Sequence, residues 1–573
     1  MLKTTLATAL VLFLSVTAAT GAHAAEGAAG CTALSGTTIT FGTETARIVS
    51  SQYQPDGTVV TTPSPGGPPA STTTPAHCEV TGVMHERQGQ FGQAYAIRFH
   101  LRLPANWNKR MVFQGGGGSN GELGDALGRL SASGPGALVQ GYAVVSQDSG
   151  HDNATNSDPG HNGALAFGFD PQARADYGHT SLKVTADAAK AIIRAFYGQA
   201  PRYSYFVGCS KGGQEGMTFA QFYPDEFDGI IASAPGFSLP RAALAEAWDV
   251  QAVSALLPRD ASGHFAVGDI YKTFSQGDLA LVRTAILDAC DNDDGLKDGM
   301  VGDFLHCTDA KVLPQLQAHV CAGDKAEGCL STGQVTALVR IMGGVKNSAG
   351  RSLYAGWFWP SGIAGFDWAL WKIGSPDGRI PPLNVVLGAG SLAAVFTTPP
   401  TVLGDPQSMA DYQAGFDFDR DASKIYAVAA PFTRSAWQDV GSRSADLSAF
   451  RAHGGKLIVP HGESDPVFSL KDTLAWFDEV DARNGGKAAG FVRVFPVPGM
   501  CHCGGGQATD DYDVFTALVN WVEHGQAPDA IVATAGPRSP WPGRQRPLCA
   551  YPEIARYTGG DSEKASSFAC QAS

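Results

Sequence analysis

Tyr203-Ser204-Tyr205-Phe206-Val207-Gly208-Cys209-Ser210-Lys211-Gly212-Gly213 is the stretch from which the fold can be read. A short β-prone run ends at Gly208, and G-x-S-x-G follows with a cysteine directly before the serine. Beyond Ser210, the residues Gln214 to Phe222, closed by Pro224, suit a helix. The pentapeptide has physical meaning where a strand turns sharply into a helix and pushes the serine hydroxyl out of a sheet. Gly208 and Gly212 lack the Cβ atoms that would crowd such a turn. With 70 glycines in 573 residues, chance alone supplies roughly 0.6 such matches. A second match, Gly117-x-Ser119-x-Gly121, follows a run of glycines rather than a strand, so no rigid element presents Ser119. Ser210 is the expected nucleophile.

A serine in this setting needs an acid and then a histidine later in the chain. Lys456-Leu457-Ile458-Val459-Pro460 reads as a buried strand, followed by His461-Gly462-Glu463-Ser464-Asp465. Phe491 to Phe495 alternates as another strand, followed by Pro498-Gly499-Met500-Cys501-His502-Cys503. Asp465 and His502 therefore fall just past strand ends, where a parallel sheet collects its functional groups. Glu463 is the rival acid and His461 the rival base. For the oxyanion, the backbone N–H of Lys211 is one expected donor. A glycine at Gly116 or Gly117, in the run after Met111-Val112-Phe113-Gln114, is the other. No Gly-Lys-Ser/Thr follows that run, so it is not a phosphate loop.

Residues 1–24 read as a signal peptide: a basic start at Lys3, an apolar run through Ala9 to Leu14, and the small-residue site Ala22-His23-Ala24. A secreted or periplasmic location follows, where disulfides persist. Nearness along the chain suggests pairing Cys290 with Cys307, Cys321 with Cys329, and Cys549 with Cys570. Cys31 with Cys78 would tether the N-terminal segment across a Pro/Gly/Ser/Thr-rich loop at residues 54–76. Cys209 with Cys503 would set Ser210 beside His502 and leave Cys501 over. Spacing alone does not fix this connectivity. A zinc site at Cys501-His502-Cys503 lacks a second Cys/His pair at standard spacing. The formal net charge is −13, and losing Lys3 with the leader makes it −14. A basic nucleic-acid footprint is absent, and no apolar run after the leader reaches the ~20 residues that span a bilayer.

Strand-like segments around Met111, Tyr142, Tyr205, Ile230, Leu457 and Val492 alternate with helical stretches such as Ser181 to Tyr197 and Tyr512 to Glu523, which predicts a parallel α/β sheet. Residues 25–237 and 449–573 then form a catalytic domain, and residues 238–448 a lid inserted over the strand ends. Trp357, Trp359, Trp368 and Trp371 cluster in that insertion. Such clusters are usually core, yet where they line a mouth they favour a flat apolar ligand. The insertion also carries Cys290-Asp291-Asn292-Asp293-Asp294-Gly295-Leu296-Lys297-Asp298-Gly299-Met300. Asp291, Asp294 and Asp298 with nearby backbone oxygens offer the hard donors that calcium takes. The bland alternative is an exposed acidic turn.

These motifs together resemble the tannase/feruloyl esterase family over nearly the whole mature chain. The likeness rests on Tyr203 to Met217, Phe227 to Pro235, Cys290 to Met300, His461 to Asp465 and Pro498 to Cys503. It implies an α/β-hydrolase with a lid, the triad Ser210, Asp465 and His502, and a disulfide between Cys209 and Cys503. It implies a structural Ca²⁺ held by Asp291, Asp294, Asp298 and the carbonyls of Leu296 and Met300, and an aromatic contact from Phe468. The expected substrates are small esters of aromatic acids: gallate, hydroxycinnamate or terephthalate monoesters. Two departures stand out. Lys211 puts a cation after the serine, and Cys501 before His502 opens disulfide exchange with Cys503. An acyl carboxylate would call for an arginine, with Arg351, Arg379, Arg434 and Arg443 available. The alternatives are a serine peptidase or carbon–carbon hydrolase, and a non-catalytic calcium-dependent binding protein on the same scaffold. The sequence is silent on oligomeric state.

Overall fold

The computed structural model describes residues 27–62 and 69–573. The expected signal peptide and the centre of the Pro/Gly-rich loop lie outside them. Among the described residues a ten-stranded mixed sheet organises the protein, an α/β architecture. In chain order its strands are β1 (Thr38–Phe41), β2 (Glu44–Gln54), β3 (His77–Gln88), β4 (Ala94–Pro104), β5 (Arg110–Gln114), β6 (Ala143–Gln147), β7 (Tyr203–Cys209), β8 (Gly229–Ser233), β9 (Lys456–Gly462) and β10 (Val492–Val497). Across the sheet they run β1-β2-β3-β4-β6-β5-β7-β8-β9-β10. The first four and β6 pair antiparallel. From β6 to β10 every neighbour is parallel.

The parallel strands are those the apolar runs predict. Buried on both faces, they need Val, Ile and Phe on both sides, so they read as continuous hydrophobic stretches. The antiparallel strands β1 to β4 are an addition, and they alter one expectation. The loop spanned by Cys31 and Cys78 folds back on itself as a hairpin of Thr58–Thr62 with Ala70–Thr74.

Strand β7 lies inside the parallel region and feeds helix α2 (Lys211–Phe222). Phe206 on the strand and Phe219 on the helix lock the two together, their ring centroids 5.4 Å apart, with Phe113 and Phe227 packed around them. Helix α1 (Ser181–Tyr197) buries Leu182, Thr185, Ala186, Ala189, Ile192 and Ile193, a helical stripe facing the core.

Residues 234–455 add no strand to the sheet. They form helices, among them α3 (Leu239–Ser254), α4 (Gln276–Cys290) and α5 (Phe366–Lys372). A buried ion pair ties this segment to the rest. Arg174 Nε donates to Asp439 at 2.9 Å, and the same guanidinium reaches Thr398 Oγ1 and the carbonyl of Arg434. Trp357, Trp359 and Trp368 are buried as core. Only Trp371 of that cluster is half-exposed.

Candidate active site

At the tip of β7 the chain turns into α2 through Ser210, whose backbone sits at φ 66°, ψ −120°. A side chain rarely adopts that conformation, which costs of order 1–3 kcal/mol and persists only where the surroundings impose it. Here they do. The Ser210 N–H donates to the Ser233 carbonyl at 3.1 Å, and its carbonyl accepts from Gly236 and Gln214 at 3.0 Å each. The flanking glycines are required by close approach: a Cβ on Gly208 would lie 2.6 Å from the Gly212 backbone, and one on Gly212 would lie 2.7 Å from the Gly116 carbonyl.

Ser210, His502 and Asp465 form one hydrogen-bonded line. His502 Nε2 is 2.8 Å from Ser210 Oγ, and His502 Nδ1 is 2.8 Å from Asp465 Oδ2. The other Asp465 oxygen accepts the N–H groups of Val467 and Phe468 at 2.7 and 3.1 Å. Burial opposes ionisation of Asp465, but His502 and His461 together hold its carboxyl well below the usual range. Burial would likewise lower His502; the charge and hydrogen bond of Asp465, with the charge of Asp367, outweigh it and raise the imidazole above its ordinary value.

The rivals are engaged elsewhere. Glu463 accepts from Ser464 Oγ and the Gly499 N–H. His461 lies behind Asp465, bonded to Thr473 Oγ1 and the Phe468 carbonyl. Cys209 and Cys503 are bonded across 294 residues with their Cα atoms 6.0 Å apart. The other four disulfides join Cys31–Cys78, Cys290–Cys307, Cys321–Cys329 and Cys549–Cys570. With Cys503 in a disulfide, a zinc site at 501–503 loses a ligand. Cys501 is a buried free thiol. Burial and the nearby carboxylates, Asp367 first, push it well above the usual thiol range. Exchange needs a thiolate, so the environment opposes exchange with Cys503.

Two expectations around the serine change, one of them an oxyanion donor. The Gly116 N–H donates to Glu215 Oε2 at 2.9 Å and is spent there. Gly117 carries no such commitment among the described residues, which leaves its N–H and that of Lys211. The Lys211 ammonium does not bring a free cation to the serine. It is buried against Glu215, 3.0 Å away, and over the Tyr177 ring at 4.5 Å. Glu215 also accepts from Asn120 Nδ2 at 2.8 Å, so this one carboxylate joins the serine helix to the glycine run.

The serine opens onto a cleft whose walls are mostly apolar: Leu239, Ala242, Ala243, Trp371, Leu387, Phe396, Val467 and Phe468. Phe468 and Trp371 flank His502 edge-on, with centroids at 5.4 and 6.0 Å. None of Arg351, Arg379, Arg434 and Arg443 is part of the lining. Arg379 pairs with Asp377, Arg434 with Asp439, and Arg443 with Asp472 and Glu479. Two acids that the motifs did not reveal are Asp367, which accepts the His502 N–H at 3.1 Å, and Glu246 in the cleft wall. Asp367 stands four residues before Trp371 on α5, so i,i+4 spacing was its only signal.

In the acidic loop, Asp291 and Asp294 are buried and Asp298 is half-buried beside them. Burial first, then the neighbouring Asp298 and Asp291, raise Asp294 to about 7. Hydrogen bonds from the loop's own N–H groups hold all three carboxylates. Arg546 contacts Asp298, with Arg544 at 3.7 Å. The carbonyls of Leu296 and Met300 accept no hydrogen bond among the described residues. As placed, no three His, Cys, Asp or Glu side chains converge on a metal position among the described residues. The donors are nonetheless all hard oxygens and fit calcium in kind, with Asp298 engaged by Arg546.

Replacing both Cys209 and Cys503 by serine is expected to leave a folded protein whose circular dichroism matches the parent, with turnover of an activated ester down at least tenfold. Unchanged turnover would show that the bond does not position the pair.

The model for tannase and feruloyl esterase matches residues 78–571. The chain is 44% identical to a mono(2-hydroxyethyl) terephthalate hydrolase of Piscinibacter sakaiensis, covering 87% of this chain and 85% of that one. It is 29% identical to a probable feruloyl esterase of Arthroderma benhamiae, covering 89% and 88%. The crystal structure of feruloyl esterase B from Aspergillus oryzae superposes with a TM-score of 0.71 at 22% identity, covering 95% of this chain and all of that one, which shows a shared fold. The chain belongs to the tannase and feruloyl esterase family and is a carboxylic ester hydrolase.

Proposed function

We propose that this protein is an exported serine esterase that cleaves small esters of aromatic acids through an acyl-enzyme, on an α/β-hydrolase fold whose residues 238–448 serve as a lid. The hydrogen-bonded line Ser210–His502–Asp465 carries the reading. Ser210 Oγ attacks the ester carbonyl as His502 Nε2 takes its proton. Asp465 holds the ring through Nδ1 and stabilises the imidazolium. The N–H groups of Gly117 and Lys211 receive the oxyanion. His502 then gives its proton to the departing alcohol, and water repeats the cycle on the acyl-enzyme. An acyl ring would lie between Trp371 and Phe468 in the apolar cleft. The lid reading is supported by Leu239, Ala242, Ala243, Trp371, Leu387 and Phe396, all insertion residues in the cleft wall. Export is supported by five disulfides, and no helix among the described residues is long and apolar enough to cross a membrane.

Ser210→Ala should lower turnover of an aromatic ester by about 10⁶ and abolish labelling by a fluorophosphonate. A labelled or active variant would refute the serine mechanism. The pure binding protein and this reading differ at that step, since a binder without a nucleophile does not label.

The base must be neutral to act, and His502 is held above its ordinary value. Activity should therefore fall as pH drops through that raised pKa, the acid limb of kcat/KM lying above the usual histidine range. Asp367→Asn removes one of the charges that raise it and should move the limb to lower pH. A limb that stays put would separate Asp367 from the histidine.

Calcium would be held by the carboxylates of Asp291, Asp294 and Asp298 with the carbonyls of Leu296 and Met300, bracing the loop closed by Cys290–Cys307. It takes no part in the reaction. A chelator should lower the melting temperature, calcium should restore it, and Asp294→Asn should make the protein insensitive to both. An unchanged melting curve would refute the site.

A further inference from the structure

The cleft contains one carboxyl that hydrolysis does not use. Leu239, Ala242, Ala243 and Glu246 of α3 all line it, the three, four and seven spacing of a single helical face. That helix starts beside the serine, because the Gly236 N–H donates to the Ser210 carbonyl at 3.0 Å. A rise of 1.5 Å per residue carries Glu246 about 10 Å beyond Leu239. A hydroxycinnamoyl group, somewhat shorter than this from its carbonyl to a hydroxyl at the far end of the ring, spans most of that face.

Glu246 is 7% exposed and makes no hydrogen bond or ion pair with the described residues. Space is kept for it: a Cβ on Gly388, in the facing wall, would lie 2.1 Å from its Oε2. The Glu246 carboxyl oxygens are not sealed in the core without a partner but keep access to the cleft, where a ligand can reach them. Burial, opposed by Lys372 and reinforced by Asp249, raises this carboxyl to about 8, so at neutral pH it carries its proton and both donates and accepts. The cations nearby are already taken. Lys372 Nζ is 2.5 Å from Asp249, and Lys211 is paired with Glu215. An acyl group ending in a carboxylate finds no free cation in the lining.

We propose that Glu246 selects the acyl group by hydrogen-bonding a phenolic hydroxyl at the far end of its ring, so that hydroxylated aromatic acids are preferred over unsubstituted ones and over acids bearing a second carboxylate there. The inference rests on the ester-hydrolase reading and narrows it. It places Glu246 as a specificity residue and leaves the reacting atoms to Ser210 and His502.

The test compares kcat/KM for the methyl esters of 4-hydroxycinnamic, cinnamic and 4-carboxycinnamic acids. The intact enzyme should favour the hydroxylated ester over both others by about tenfold, the worth of one buried hydrogen bond. Glu246→Leu should bring the hydroxylated-to-plain ratio close to one. Glu246→Gln keeps a donor and an acceptor and should retain most of the preference. Gly388→Ala crowds the carboxyl out of its place and should lower the same ratio by an independent route. A ratio is unaffected by the fraction of enzyme that folds, and the comparison on the intact enzyme needs no variant. Equal kcat/KM for the three esters, preference for the 4-carboxy ester, or a ratio unmoved in both Glu246→Leu and Gly388→Ala would overturn the role of Glu246 while leaving the hydrolase reading intact. No turnover of any of the three would overturn this inference, and absence of fluorophosphonate labelling at Ser210 besides would overturn the serine-esterase reading as well.

Discussion

The contact between one hydroxyl and one imidazole depends on two segments almost three hundred residues apart in the chain arriving within hydrogen-bond distance. The hydrogen bonds along Ser210, His502 and Asp465 are each worth on the order of 1 kcal/mol net, too little to order two loops by themselves. The bond between Cys209 and Cys503 ties the two segments covalently, because each cysteine is the immediate neighbour of one residue of the contact. Cys503 itself sits at φ 64°, so each of the two loops holds one residue, Ser210 in the elbow and Cys503 after the histidine, at an unusual backbone position. Chain entropy alone credits so long a closure with more than ~4.7 kcal/mol, an upper bound since native strain subtracts. Its larger consequence is register: the serine elbow and the histidine loop cannot drift apart.

Charge is then arranged inward, away from the cleft. Lys211 with Glu215, Lys372 with Asp249, and Arg174 with Asp439 are all buried pairs in or around the site. Such pairs contribute little net stability, because desolvation offsets attraction, but breaking one strands a charge. They hold a single arrangement of the elbow, α3, α5 and the segment around residue 439. What remains facing the cleft is apolar surface with a few polar groups, the usual composition of a small-molecule site.

Much of this was legible in the sequence because the parallel strands are apolar throughout and the motifs sit at their ends. Ser210, Asp465 and His502 were read from strand-then-loop context, and their hydrogen bonds are the ones that such a reading expects. The antiparallel strands were less visible: Glu44–Gln54 mixes buried and exposed residues and carries two Ser and two Gln, with no loop chemistry to mark it. Residues that act across elements were illegible. Glu246, Asp367 and Glu215 acquire meaning only when their helices meet loops or walls far away in sequence, and spacing along one helix gives at most a faint signal of that. Lys211 misled although its counter-ion stands one helical turn along at i,i+4, because its burial over the distant Tyr177 ring appears only in the fold. The four arginines illustrate the converse: each was available by type, and neighbouring carboxylates occupied three of them.

Glu215 holds three things at once: the ammonium of Lys211, the amide of Asn120 and the N–H of Gly116. Positions 120, 211 and 215 are consequently bound into one unit of inheritance. A lineage that replaces the lysine after its serine with a neutral or acidic side chain must also discharge or replace the acid a turn later, and find another tether for the glycine run. Among relatives these three positions should therefore drift as a set.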